Sequence, residues 1–440
     1  MPREVTGRKY LQILRPFLHR LHAAYAHPNR VLFYDDVVIS YLVAFFSPAL
    51  RSLRLIENAS QVPGVNKYLN VESVCSSTLS DANALFDPAH LAGLIADLRK
   101  QLPKASSRDG PEDSELRELL DNAILVDGSF FRLAADVQWA IHAANQYGGG
   151  KGADAVPPTN PPVKSTRKIR SDRKTPVKEA ENKAVSDKPG IGTVRLNCQF
   201  CLSSGVPTGV SVNGSDRVHE STAALALVEP GHLYLFDSGI VSFNYLSGIL
   251  DAGSHLLCNL ATVVKFTADH ERTLTETDIR AGIISDRVGF LPGSFCNTPP
   301  KGMLREIILE YTDRQGQLRR LRLLTDLLNL PAHTVAELYR ERWKIELFFR
   351  WLKVSANFRH LTSHSKNGVS LSFHVAVIAA LLMVLRTGCP LSIHGYQLMG
   401  MVFAGQADLQ DILPILEYRE HQRRLEQQRL ARKRAAQKSA

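Results

Sequence analysis

The fold is decided by the stretch Val335-Ala-Glu-Leu-Tyr-Arg-Glu-Arg-Trp-Lys-Ile-Glu-Leu-Phe-Phe-Arg-Trp-Leu-Lys353, which has the pattern of a single helix. At about 100° per residue, one face of this helix carries a polar stripe made of Tyr339, Arg342, Glu346 and Lys353. Apolar side chains cover nearly every other direction, which is typical of a helix buried inside a domain. A buried carboxylate needs a partner, so Glu346 either forms an internal ion pair with Arg342 or belongs to a functional site.

Composition bounds the class of protein. The chain has 440 residues, 44% apolar and 22% charged residues and a net charge of +10. Such a chain is long enough for more than one structural unit with a sizeable core, and its basic charge favours a polyanionic partner, nucleic acid before membrane. Six scattered cysteines and the absence of a signal-peptide pattern predict a reducing, cytoplasmic location. The apolar run Val375 to Leu385 is shorter than the roughly 20 residues that cross a bilayer, so we expect a core helix and no membrane partner.

Two apolar runs each lead to an aspartate. The first, Ala123 to Val126, precedes Asp127 and Gly128, and the second precedes Asp237. We expect both runs to be buried strands, with the chain turning at Gly128. An Asp-Gly pair can simply form a turn, but the ends of strands in a sheet covered by helices are also where ligands bind.

The rest of the chain divides by pattern. Helical spacing of apolar residues predicts an N-terminal helical domain over residues 1–115, which either reads DNA as a helix-turn-helix or is plain helical packing. Residues 148–190 form a flexible, basic insertion, for which a solvated linker is the alternative to a phosphate contact. Period-two alternation predicts a β-rich insertion over 255–325. Residues 391–440 are predicted to be a helical basic tail whose end is helical or frayed, and it is either solvated or in contact with DNA.

A zinc site is disfavoured at the pair Cys198 and Cys201. No second pair accompanies it, and the run Thr193 to Leu202 reads as a strand. With Val206 to Val212 this run predicts a hairpin around Ser203-Ser204-Gly205.

Three carboxylates remain as candidates for chemistry, namely Asp127, Asp237 and Glu346. Acids that converge in space bind divalent cations, and two Mg²⁺ ions could support an in-line phosphoryl transfer. Asp127 would be the shared ligand, and Asp237 and Glu346 would complete one site each. Arg342 and Lys353 would bind nucleic-acid phosphates, and Tyr339 would donate a hydrogen bond or stack on a base.

The spacing Tyr339-x2-Arg342-x3-Glu346-x6-Lys353 resembles the YREK signature of the DDE transposases of the IS-four family of insertion sequences. Asp127-Gly-Ser resembles the family's first aspartate block, and Asp237-Ser-Gly, preceded by Arg217-Val-His-Glu220, resembles the second. The resemblance covers about residues 10 to 390. The basic insertion is longer than the family pattern needs, and Trp343, a candidate for trapping a flipped base, is expected to pack in the core.

The resemblance implies a fold and an activity. The expected fold is α/β, a ribonuclease-H-like catalytic core over 116–254 and 326–390 interrupted by the β-rich insertion, with the N-terminal helical domain recognising DNA ends. The expected activity is cut-and-paste transposition by strand cleavage, hairpin formation and strand transfer with Mg²⁺, for which Mn²⁺ is expected to substitute. The expected partners are double-stranded terminal inverted repeats, target DNA and a second copy of the chain when ends are paired. Two alternatives stay open: a ribonuclease-H-like nuclease that does not join strands, and an inactive DNA-binding derivative.

Overall fold

The structure of the chain is a computed structural model, and it describes residues 7–25, 27–47, 49–50, 52–63, 73–102, 114–133, 141–142, 192–214, 219–293, 299–313, 315–354, 361 and 363–438. The predicted basic insertion 148–190 lies outside the described residues, as does Arg217 of the second aspartate block.

Ten strands form one continuous mixed sheet. In chain order they are β1 (Ala123–Arg132), β2 (Ile141–His142), β3 (Gly192–Cys201), β4 (Val206–Asn213), β5 (Leu233–Phe236), β6 (His255–Asn259), β7 (Thr267–Glu271), β8 (Ile283–Phe290), β9 (Leu304–Thr312) and β10 (Leu318–Thr325). Hydrogen-bonded neighbours run in the order β2-β3-β1-β5-β6-β10-β9-β8-β7, and β4 also pairs with β3.

The centre of the sheet combines parallel and antiparallel pairs. β1, β5 and β6 are parallel neighbours, whereas β3 and β4 continue the sheet beyond β1 in antiparallel fashion. The β3–β4 hairpin is the predicted one, and its turn contains Gly205 at φ +67°, a conformation that glycine adopts without a steric penalty. A helix, Phe243–Asp251, connects β5 to β6, as parallel neighbours require. The predicted α/β, ribonuclease-H-like core is confirmed.

The period-two stretches after Leu256 are strands, as their alternation predicts. β10 pairs antiparallel with β6, so β7 to β10 extend the central sheet instead of forming a separate one. The boundaries of the predicted β-rich insertion stay a prediction.

Helices cover the sheet and build the N-terminal region. They are α1 (Gly7–Ala24), α2 (Tyr34–Phe46), α3 (Leu53–Ser60), α4 (Ser76–Leu85), α5 (His90–Lys100), α6 (Ser114–Asp121), α7 (Glu220–Leu225), α8 (Phe243–Asp251), α9 (Glu276–Arg280), α10 (Ala332–Arg340), α11 (Trp343–Val354), α12 (Lys366–Thr387), α13 (Ile393–Phe403) and α14 (Leu409–Lys438). The N-terminal helices α2, α4 and α5 pack against α12, which also contacts β4.

The helix α12 lies at the centre of the larger core. It spans 22 residues, Lys366–Thr387, so by length and composition the whole helix could cross a membrane, although the run Val375 to Leu385 is too short to do so. However, 89% of the most apolar 18-residue segment of this helix is buried inside the fold. Its apolar side chains therefore serve protein packing, as expected of a core helix.

The decisive stretch 335–353 is two helices and not the single predicted helix. α10 ends at Arg340 and α11 begins at Trp343. Between them the amides of Glu341 and Arg342 donate to the carbonyls of Leu338 and Tyr339, three residues back, at 3.1 Å each. These tighter i→i+3 bonds interrupt the α-helical ladder. The angles of a straight helix therefore do not apply across the break.

Candidate active site

Asp127 and Asp237 lie side by side on neighbouring parallel strands. Val126 of β1 pairs with Phe236 of β5. The residues that follow them, Asp127 and Asp237, therefore lie side by side. Neighbouring strands are about 4.8 Å apart. Side chains alternate between the two faces of a sheet, so both aspartates point to the same face as Leu125 and Leu235. These two leucines belong to the hydrophobic core that also contains side chains of α10 and α11. The sheet thus presents two carboxylates to these helices.

Asp127 is not at the end of its strand, and the chain does not turn at Gly128. β1 continues to Arg132, and Asp127 pairs with Cys198 of β3 in the antiparallel ladder. Only the pairing with β5 stops at Val126. The expected turn was wrong because the partner strand β3, which is distant in sequence, extends β1 beyond the Asp-Gly pair.

Asp237 directly follows β5, as predicted, and is held by two donors. Its Oδ1 accepts from the amide of Ser238 at 2.7 Å and from Nδ2 of Asn259 at 3.2 Å. Asn259 is the last residue of β6, and the pairing of Phe236 with Cys258 puts it level with Asp237. Sequence reasoning missed Asn259, although a polar residue closing a third apolar run was the available signal.

Arg342 connects the helical side of the site to the aspartates. Its Nη2 donates to Oε1 of Glu346 at 2.7 Å, so the ion pair that the sequence left open is formed. Burial lowers the pKa of Arg342, but Tyr339, Glu346 and Asp237 outweigh this effect and keep the pKa above its usual value. The guanidinium lies 5.8 Å from the centre of the Tyr339 ring. Burial and the Asp237 carboxylate raise the pKa of Tyr339, which stays a neutral donor.

Asp127 has a perturbed proton affinity. Burial raises its pKa to about 6, against the lowering effects of the Gly128 amide, which donates to Oδ1 at 2.8 Å, and of Arg342. The carboxylates of Glu220 and Glu346 also raise the pKa. A half-buried carboxylate near further acids is typical of sites that bind cations or transfer protons.

Lys353 and Trp343 occupy different environments. The pKa of Lys353 is lowered by burial, which the nearby Asp127 opposes, and its Nζ lies 5.1 Å from the centre of the Phe131 ring. Lys353 therefore lies near Asp127, and its role in binding phosphates stays a prediction. Trp343 is 58% exposed, so its expected place in the core was wrong. It is the first residue after the helix break, where the straight-helix projection fails.

The donor chemistry of the site fits Mg²⁺, which prefers oxygen ligands and retains waters. Asp127, Asp237 and Glu346 offer only carboxylate oxygens, and each of them interacts electrostatically with Arg342. Across the part of the chain that the structure describes, no three His, Cys, Asp or Glu side chains are close enough to hold one metal ion together. The guanidinium of Arg342 engages the Glu346 carboxylate instead. The Cys198 and Cys201 pair lies on β3, with Cys198 fully buried, and has no such cluster around it.

These observations define a class of protein with a ribonuclease-H-like sheet, two aspartates on adjacent parallel strands and a glutamate on a helix that faces them. A family model described as the Transposase DDE domain matches residues 119–382, more than half of the chain, from α6 to α12. The chain belongs to this family.

Two curated proteins are similar to parts of the chain. The first is the candidate transposase y4zB of Sinorhizobium fredii, 25% identical over 193 residues, which are 44% of this chain and 53% of that protein. The second, assigned as transposase of insertion sequence element IS5377 in Geobacillus stearothermophilus, is 34% identical over 79 residues, or 18% of this chain and 20% of that protein. The chain thus spans about half of one relative and a fifth of the other.

A solved structure of the piggyBac transposase synaptic complex with hairpin DNA covers 91% of this chain and 76% of its own, with 8% identity and a TM-score of 0.35. This score is too low to define a shared fold.

Proposed function

We propose that the chain is a DNA transposase that cuts and joins DNA by metal-dependent phosphoryl transfer, with Asp127, Asp237 and Glu346 as its catalytic residues. The observation that supports this proposal is the register of β1 and β5, which brings the two aspartates side by side on the face of the sheet that packs against α10 and α11. Membership of the Transposase DDE domain family agrees with it.

The three acids would hold the metal ions of this reaction. Asp127 would be shared by two Mg²⁺ ions, for which Mn²⁺ is expected to substitute, and Asp237 and Glu346 would each complete one site. When bound, such ions activate an attacking oxygen and stabilise a leaving one in phosphoryl transfer. Asn259 and the Ser238 amide orient Asp237, and the Gly128 amide orients Asp127.

The cations and the phenol of the site would bind the DNA strand. Arg342, whose side chain is 13% exposed, would bind a phosphate bidentately. Lys353 would contribute a point charge beside Asp127, and Tyr339, kept neutral, would donate a hydrogen bond. The exposed Trp343 is available for stacking on a base.

The finer assignment rests on the YREK-type spacing from Tyr339 to Lys353. We infer that the chain is a cut-and-paste enzyme of the IS-four group that nicks the element end, forms a hairpin and transfers the freed 3′ ends to target DNA. Its partners would be double-stranded inverted repeats, target DNA and a second copy of the chain on paired ends, in the cytoplasm. The N-terminal helices would help to recognise the ends, and the basic tail would contact the DNA backbone.

The test uses the full-length protein and a duplex carrying the inverted repeat that flanks its gene. We expect Mg²⁺-dependent nicking and hairpin formation, and joined product when pre-cut ends are incubated with supercoiled DNA. D127A should lower cleavage at least about a thousandfold, or roughly 4 kcal/mol of barrier lowering, while DNA binding persists. Cleavage that survives D127A would overturn the proposal. Cleavage without joining would indicate the nuclease, and binding without cleavage the inactive derivative.

A further inference from the structure

A fourth carboxylate, that of Glu220, lies against the backbone of β1 at Gly128, the residue that follows Asp127. Glu220 is the first residue of α7, and its side chain is 17% exposed. A β-carbon added to Gly128 would meet Oε1 of Glu220 at less than 3.0 Å. Gly128 is thus the position where the carboxylate reaches the backbone of β1, and only glycine leaves room for it.

The carboxylate approaches from the face opposite to Asp127. Side chains alternate along β1, so the open side of Gly128 and the side chain of Asp127 are on different faces. The Gly128 amide bonds to Oδ1 of Asp127 at 2.8 Å. From these contacts and standard bond lengths, the Glu220 and Asp127 oxygens are no more than about 8 Å apart across a single strand. At this distance in a half-buried setting, charges still interact appreciably.

Asn197 adds a second negative pole at the same point. It pairs with Gly128 across the β1–β3 ladder, is 2% exposed, and its Oδ1 lies 3.2 Å from the position of a β-carbon on Gly128. Its Nδ2 donates to Ser211 and Asn213, whereas Oδ1 has no hydrogen-bond donor among the described side chains and backbone. A buried amide oxygen held this way directs its negative end toward the strand.

Arg195 places a positive charge next to this negative cluster. Its Nη1 lies 3.5 Å from Oε2 of Glu220, and its guanidinium lies 4.8 Å from the centre of the Phe130 ring. Arg195 belongs to β3 and is two residues from Asn197. The negative charge of Glu220 therefore favours a cation at Asp127, whereas the positive charge of Arg195 opposes it.

We propose that Glu220 is a positioning residue of the metal site. It acts through Gly128 to raise the affinity of Asp127 for a divalent cation, and the positive charge of Arg195 weakens this effect. This inference rests on the proposed function, since it assumes that Asp127 binds metal. Glu220 does not itself need to touch the ion. Its charge acts on the site across one strand, and its oxygen lies against the backbone of Gly128, whose amide donates to Asp127.

The test measures binding of Mn²⁺ to the full-length protein by electron paramagnetic resonance, without any need for turnover. E220Q should raise the dissociation constant about tenfold, because a full charge near the ion is removed. R195Q should lower the dissociation constant about threefold, because an opposing charge is removed. A merely structural contact between Arg195 and Glu220 would shift both variants in the same direction. E220D, which keeps the charge, should restore affinity to within about threefold of the wild-type value.

The matched control is E229Q, the same change at the other end of β5, where Glu229 contacts Arg99 and His232. It should leave Mn²⁺ affinity unchanged. Affinity that is equal in wild type, E220Q and R195Q would overturn the role of Glu220 alone. A wild-type protein that binds no Mn²⁺ would overturn the proposed metal site itself, and this inference with it. If E220Q does not fold, R195Q still decides, because unchanged or weakened binding in R195Q contradicts the proposal.

Discussion

Arg342 donates to Glu346 at 2.7 Å across a single turn, and the same guanidinium also acts on Asp127 and Asp237. One largely buried cation thus interacts electrostatically with three carboxylates, which come from two strand segments and a helix. Like charges held together in a protein interior repel, and a shared cation reduces this cost. Glu346 can therefore both form an ion pair with Arg342 and belong to a functional site. The two explanations are compatible because Arg342 stabilises the acids in the absence of a ligand.

The first prediction concerns Glu346. E346Q should lower the cleavage rate at least about a thousandfold, or roughly 4 kcal/mol, since the amide keeps the shape but supplies no negative charge for a metal. Single-turnover cleavage of the end duplex measures it. E341Q is the matched control, because Glu341 lies in the same break between helices and pairs with Lys344. Equal rates for both variants would show that Glu346 has only a structural role.

The second prediction concerns pH and Asp127. Its pKa is raised to about 6, so the folded state holds the proton more tightly than the unfolded state, whose pKa is about 3.9. The carboxyl group therefore costs no stability below about pH 4, and it destabilises the fold progressively as pH rises through 6. D127N should raise the free energy of unfolding of the metal-free protein at pH 8 by about 1 to 3 kcal/mol. Urea unfolding at pH 4 and pH 8 measures this difference, which should fall below about 1 kcal/mol at the lower pH. A D127N protein that is less stable than wild type at pH 8 would contradict the assignment.

The third prediction concerns the close approach at Gly128. G128A should lower the free energy of unfolding by about 1 to 3 kcal/mol, because the new methyl group would overlap the Glu220 carboxylate. The double variant G128A/E220A should recover most of this loss relative to E220A, since the overlapping oxygen is gone. A double-mutant cycle by urea unfolding measures the coupling. Additive losses would mean that the backbone of β1 and not Glu220 rejects the methyl group.

The fourth prediction concerns Arg305, which is 1% exposed and joins the strands to the segment before α10. It donates to both oxygens of Asp286 at 2.8 Å and to the carbonyls of Leu327 and Leu330. R305M should lower the free energy of unfolding by about 3 to 5 kcal/mol. It leaves the buried Asp286 carboxylate with only the longer contact to Arg272, at 3.5 Å, and removes the donor of the Leu327 and Leu330 carbonyls. R320M removes a similar but solvent-exposed pair with Glu310 and should cost less than about 1 kcal/mol. Equal losses in urea unfolding would contradict this ranking.

Several elements follow from local pattern. The run Ala123 to Val126, the hairpin around Gly205 and the run before Asp237 are strands because short apolar or alternating runs between turn signals have few other solutions. α12 follows from its long apolar composition. These predictions were confirmed because the information lies within each segment.

Two other features could not be predicted from their segments. The break at Glu341 and Arg342 contains neither proline nor glycine, and nothing in its composition marks the tighter i→i+3 bonds. The extension of β1 past Gly128 depends on β3, which follows some 60 residues later. Both outcomes were decided by the packing of distant elements, and the exposure of Trp343 followed from the first.

The amino-acid sequence is enough to identify the available chemistry: three carboxylates, the cations and phenol spaced around the third, and the strands that carry the first two. The relative positions of these groups depend on tertiary packing, which sets Asp127 level with Asp237, Arg342 near all three acids and Glu220 against Gly128. The physical reason is that side-chain periodicity is a local property, whereas the register between β1 and β5 joins residues 110 positions apart. Such a register depends on how both strands bury their apolar faces together.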